Sequence, residues 1–322
     1  MTIEAKLSDV SSHGDIAVQQ ANPSRSSFAK IFLGPTRIRA GWRLLIFAAT
    51  FLCVARLLNF VLHRIPAIAD WQSAQAPGAT TPSQAIFAAA VAVSVAIISA
   101  LILSVIEKKS FADYGLPWAR AFGKRFWQGV PLGLVMLTAL MGIIAALHGF
   151  SSGGLALAGG DALKDGALYG IAFILVAIFE EFTFRGYLQA TLGEGIGFWP
   201  AAIVLAILFG AVHVSNSGEA VYGAAMAGCF ALLAAFSLRR TGTIWFAIGM
   251  HAAWDWGETY FYSVPDSGQV ARGHLLNSSF HGPAWLTGGS VGPEGSAFVL
   301  VVLLLGALAI HLLFPARREQ QV

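Results

Sequence analysis

Charge is what this sequence has least of. Only 11% of its 322 residues are Asp, Glu, Lys or Arg, against about 25% in an ordinary water-soluble domain. With 56% hydrophobic residues and a mean hydropathy of +0.68, a water-soluble fold is excluded, because no core of this size could hide so much apolar surface. Cysteine is nearly absent. Cys53 and Cys229 both fall inside apolar runs, which excludes a disulfide framework and reads them as small core residues. Strong net charge is missing too. A balance of +3 gives no reason to expect a nucleic-acid partner, and the sequence pI near 9.0 reflects membrane topology instead. The first 29 residues lack the apolar core and small-residue cleavage site of a signal peptide, so they read as a disordered tail. No internal repeat and no water-soluble catalytic domain are visible.

What is present is a series of long apolar runs. Eight stretches, near 42–63, 84–106, 126–148, 166–188, 197–214, 220–238, 243–262 and 297–314, are long enough to cross the hydrocarbon core as helices. The expected fold class is therefore all-α, a polytopic membrane helical bundle of about eight transmembrane helices. The expected domains are a tail and pre-membrane segment (1–40), a membrane domain (41–316) and a short C-terminal tail (317–322). Arg37, Arg39, Arg43, Lys108, Lys109, Arg120, Lys124, Arg125, Arg185, Arg239, Arg240, Arg317 and Arg318 all fall on one side of such a bundle. Only Arg64, Lys164 and Arg272 fall on the other, so an integral, multi-pass protein with both termini cytoplasmic is expected. Trp42, Trp127, Trp199 and Trp245 each open an odd-numbered span, where an interfacial aromatic belt would sit. In span six, Gly223, Ala227 and Gly228 are small residues suited to close helix packing. The loops 149–165 and 263–296 are rich in Gly, Ser and Pro, and the second is long enough to suggest a lid.

Three polar signals interrupt these apolar helices. The first is Glu180, Glu181 and Arg185, directly after the run ALYGIAFILVAIF. Glu181 and Arg185 lie four apart on one helix face and can pair as a clamp, while Glu180 is turned about 100° away. An intramembrane carboxylate with no cation of its own must protonate or hold something useful. The second signal is His213, ending FGAVH in span five. The third is HAAWD, in which His251 and Asp255 stack one turn apart in span seven. One free Glu, two His and one Asp on three helices suit the activation of a water and the steadying of an oxyanion. Glu180, His213 and His251 equally suit three protein ligands of a catalytic zinc with an open fourth position. Spacing leaves both schemes open. Counting along the helices puts Glu180 and His251 about 12 Å from the cytoplasmic side but His213 about 20 Å from it. That gap closes only if span five tilts or starts beyond the plane of the others.

EEFTFRGYL resembles the EExxxR motif of the CAAX-processing and bacteriocin-processing protease family of intramembrane peptidases. FGAVH is similar to that family's FxxxH motif, HAAWD to its Hxxx(Asn/Asp) motif, and RRTGTIWFAIGMH to the segment leading into the last histidine. The likeness covers a motif core of about residues 166–258, with three motifs in the family's order. It implies that Glu180 and His213 activate the water, that His251 and Asp255 bind the oxyanion or complete the site, and that Glu181 and Arg185 support it. It leaves the metal open, because the family has been described both as metalloproteases and as metal-independent glutamate peptidases.

The resulting expectation is an intramembrane endopeptidase of the CAAX prenyl protease type. It would open toward the cytoplasmic side and cut a membrane-anchored peptide or protein near a lipid-embedded or lipid-modified end. Its partners are that substrate and the lipid bilayer, and its cofactor is zinc or none. A non-catalytic partner-binding or bacteriocin-immunity-type protein is the main competing class. A proton-coupled transporter is a further one, although no paired half-helices or inverted repeat support it.

Overall fold

The structure, a computed structural model, describes residues 38–73, 80–215 and 221–315. The expected N-terminal tail up to residue 37 and the C-terminal tail 317–322 lie outside the described residues. Helices coincide with each of the eight expected spans. They are α1 (Ala40–His63), the short α2 (Pro66–Ser73), α3 (Pro82–Glu107), α4 (Lys124–Ala146) and α5 (Gly159–Glu181). A π-helical stretch, Phe182–Leu188, leads into α6 (Gln189–Ile196), followed by α7 (Phe198–His213), α8 (Val221–Thr241), α9 (Trp245–Trp256) and α10 (Val299–Leu313). Five are long and apolar enough to cross a membrane: α1, α3, α4, the continuous Gly159–Ile196 and α8. The apolar α7 and α10 are shorter, 16 and 15 residues, about 24 and 22 Å of rise. The chain is an all-α polytopic membrane bundle.

Local sequence explains where these helices begin and end. Thr81 and Gln84 form a reciprocal capping box ahead of Pro82, whose missing N–H costs nothing in a first turn. Lys108 closes α3 in the left-handed conformation. Beyond it, Ser110 and Asp113 cap a single 3₁₀ turn, Phe111–Tyr114.

Helix α9 is the axis of the fold. Every residue from Trp245 to Asp255 is buried, as expected of a helix that is apolar on every side except at His251 and Asp255. On one side it meets Met136, Leu137, Leu140 and Ile144 of α4 together with Val302 and Leu303 of α10. On the other it meets residues of α1, α3 and α5. Close approach to α4 depends on glycine. A Cβ at Gly129 would strike the Phe246 carbonyl, one at Gly133 the Met250 carbonyl, and one at Gly249 the Phe126 carbonyl. The same device joins α7 to α8, where a Cβ at Gly228 would lie 3.0 Å from the Ala206 carbonyl oxygen. That is the packing role expected of the small residues in span six.

Three details correct the sequence reading. Trp245 is fully buried and donates Nε1–H to the Pro117 carbonyl at 3.1 Å, so it is a core residue rather than part of an interfacial belt. The 108–123 connection folds over it, with Trp118 and Phe122 against the indole. Cys53 is exposed rather than core, because α1 lies at the periphery and buries only Arg43 and Phe47. Arg43, read only as an orienting charge, is 1% exposed. It pairs with Glu107 at 3.2 Å and Glu194 at 2.8 Å. Lys109 and Tyr187 join this knot, which ties the ends of α1, α3 and α6 together.

At the opposite end, β1 (Phe150–Leu155) and β2 (Leu276–Phe280) pair antiparallel, Phe150 opposite Phe280, with an irregular step between Ser152 and Leu155. The two Gly/Ser-rich loops are thus bound to each other.

Candidate active site

The helix carrying Glu180 continues through the π stretch and α6 to Ile196, well beyond the span end expected at 188. From Glu180 to Ile196 the chain descends about 24 Å, and from Phe198 to His213 it climbs about 22 Å. The turn at Gly197, φ +88°, lies between the two arms. An out-and-back of matched length returns His213 to the level of Glu180, which removes the depth gap left by the sequence count. Span five starts beyond the plane in which α9 begins. Side chains confirm the pairing of the arms: the rings of Phe184 and Phe209 meet edge to face at 5.0 Å. The Arg185 guanidinium lies over the Phe209 ring, 4.3 Å from its centroid.

His251 is 7% exposed and stands among three carboxylates. Its Nδ1 donates to Glu181 Oε1 at 2.9 Å. Nε2 then faces Asp255 Oδ2 at 3.4 Å and Glu180 Oε2 at 3.8 Å. The Phe230 ring packs edge-on against the imidazole at 5.1 Å. Glu181 is wholly buried, and its other oxygen lies 3.4 Å from Arg185 Nε, which also donates to the Ala231 carbonyl. The clamp expected between Glu181 and Arg185 therefore exists, but Glu181 has a second partner in the histidine two helices away. Pairing within one helix is visible in sequence, and this bond is not. His213 Nδ1 donates to the Phe209 carbonyl at 2.8 Å, which fixes the tautomer and leaves a basic Nε2.

Glu180, His213, His251 and Asp255 line one cavity of about 290 Å³. The common chamber expected for them is present, with Phe173, Val176 and Phe230 on its apolar side. The chamber runs toward the loop end, where Thr80, Gln269, Val270 and Glu294 line it.

Sequence reasoning missed Thr259, Asp266 and Glu294 on the same chamber wall, and Glu258 behind it. Loop residues carry no periodic signal, and only Glu258, one turn beyond Asp255, offered a spacing clue. Among the described residues, Glu258, Asp266 and Glu294 bring one carboxylate oxygen each within 4.8 Å of the others, whereas Glu180, His213 and His251 form no group of that tightness. No step below passes through a metal.

Both motif helices widen into π turns immediately after their acidic residues, at Phe182–Leu188 and Gly257–Phe261. Such widenings recur at functional sites because they re-aim side chains within an otherwise regular helix. Residues 163–257 match the family described as type II CAAX prenyl endopeptidase, Rce1-like. No curated protein matches the chain.

Proposed function

We propose, from the match of residues 163–257 to the type II CAAX prenyl endopeptidase, Rce1-like family, that this protein is an intramembrane endopeptidase that cuts a lipid-anchored polypeptide, with Glu180 as general base. The observation that carries the reading is the convergence of Glu180, His213, His251 and Asp255 on a single chamber walled partly by apolar side chains. A water held between Glu180 and the basic Nε2 of His213 loses a proton to Glu180 as its oxygen attacks the scissile carbonyl carbon. The oxyanion that forms is met by Nε2–H of His251, whose charge Asp255 and Glu181 balance. The proton then passes to the leaving nitrogen, the C–N bond breaks, and a carboxylate and an amine depart. Glu181 and Arg185 touch no reacting atom in this scheme. They hold the imidazole in place.

The test is cleavage of a prenylated, membrane-anchored peptide by protein reconstituted in lipid. Glu180→Gln and His213→Ala are each expected to lower kcat by about 10²–10⁴-fold, the range typical of a positioned acid or base. Parental turnover in either variant would overturn the assignment.

A further inference from the structure

Glu258 sits in a position that peptide hydrolysis does not explain. It is 0% exposed, and neither carboxylate oxygen has a hydrogen-bond partner. Among the described residues it makes no ion pair with a lysine, arginine or histidine. A charged carboxylate buried in this way costs several kcal/mol unless something compensates it. Its nearest acidic company makes matters worse, since Asp266 and Glu294 place an oxygen each within 4.8 Å.

We infer that Glu258, Asp266 and Glu294 hold a hard divalent cation, and that this ion pins the 263–296 loop to the end of α9. An all-carboxylate donor set selects calcium, magnesium or manganese over zinc or copper. Oxygens that each lie about 2.3–2.6 Å from one calcium ion are separated by no more than about 5 Å, which the trio satisfies. The three ligands come from separate stretches: the π turn after α9, the start of the loop, and its last 3₁₀ turn, Pro293–Gly295. Each loop ligand is already oriented. Thr259 Oγ1 donates to Asp266 Oδ2 at 2.9 Å, and the Ser267 amide and hydroxyl donate to Glu294 Oε2 at 3.2 and 2.6 Å. Hydrogen-bonded carboxylates of this kind are the usual outer support of an ion site.

The backbone is shaped around the same point. Gly292 has φ +104°, and a Cβ there would strike the Pro265 carbonyl and lie 2.9 Å from Glu258 Oε1. Glycine lets the returning loop strand pass directly over the buried carboxylate. Asp266 and Glu294 also face the chamber that holds His251. The ion would therefore fix part of the chamber's lining without touching the histidine. This inference is independent of the peptidase reading, because its readout is ion binding.

The experiment titrates purified, chelator-stripped full-length protein with calcium, magnesium and manganese separately, by calorimetry and by thermal unfolding. One saturable site per chain and a higher unfolding temperature are expected, with Glu180→Gln binding as the parent does. Glu258→Gln and the more exposed Glu294→Gln should each weaken binding by at least about tenfold. If Glu258→Gln fails to fold, Glu294→Gln alone decides. No saturable binding by any of the three ions overturns the inference. So does binding that survives Glu294→Gln unchanged, or a pH-dependent gain in stability that no ion alters, which would mean that the trio shares protons instead.

Discussion

Glu181→Gln separates the two duties of one buried side chain. Glutamine keeps the volume of glutamate, so neither a cavity nor a clash enters the comparison. What changes is charge. Arg185 is 3% exposed and its Nη1 and Nη2 have no hydrogen-bond partners, so losing Glu181 leaves a buried cation with weakened compensation. Breaking a buried pair from one side costs about 3–5 kcal/mol, while replacing both partners with apolar groups is close to neutral or stabilising. The Phe209 ring beneath the guanidinium offsets about 1–2 kcal/mol of this, which places the expected loss near the low end, about 3 kcal/mol. Adding Arg185→Met should restore most of the lost stability. Activity should not follow, because a neutral glutamine no longer balances the charge of an imidazole that carries both Nδ1–H and Nε2–H, and its amide can donate to His251 Nδ1 in place of accepting from it. A fall in kcat of at least about a hundredfold, with KM little changed, is expected in both the single and the double variant. The assay is unfolding of the two singles and the double in the same mixed micelles, with cleavage kinetics of each alongside. A double variant as unstable as the two singles summed, or one whose activity returns with its stability, would refute the reasoning.

Gly249→Ala should lose about 1–3 kcal/mol, the usual cost of overpacking, because its Cβ meets the Phe126 carbonyl and must part α4 from α9. Gly142→Ala, on the same helix α4 with open space at its Cβ, should be neutral or gain up to about 1 kcal/mol. Equal losses in the two, measured side by side by unfolding, would contradict the close-approach account. Asp113 provides a pH test outside the spans. Hydrogen bonds from the Ser110 amide and then its hydroxyl hold its carboxyl below the usual range, so the capping contribution is present above the ordinary carboxylate pKa and lost as pH falls through the lowered one. Exchange of the Ser110 amide should accelerate across that acidic window relative to Asp113→Asn, and identical profiles would remove the cap from the account.

Much of this molecule was legible before any coordinates. Apolar runs marked a helix at each of the eight expected positions, including the short α7, α9 and α10, because hydropathy survives even where a helix is short. The three polar motifs were legible for the converse reason, since an ionisable group in an apolar helix stands out. What sequence did not carry was partnership across distance. The bond between Glu181 and His251 joins residues 70 apart, and helical spacing has nothing to say at that range. Trp245 was misplaced because an aromatic residue at a span end suits a lipid interface and a loop-covered core equally well, and only the fold of 108–123 decides. The glycines GVPLG at 129–133 did carry the small-residue spacing of a close helix contact, a clue left unread. Asp266 and Glu294 had no such clue, being loop acids whose meeting depends wholly on tertiary structure.

The hairpin from Glu180 through Gly197 to His213 makes the site a matter of counting. One residue inserted in either arm would shift the returning histidine by about 1.5 Å and swing it about 100° round its helix, away from the chamber. A full turn added to one arm would keep the direction but carry the ring about 5.4 Å past its fellows. Length changes between these two residues are therefore tolerable only as near-whole turns added to both arms together, and the stretch works as a ruler folded at its midpoint.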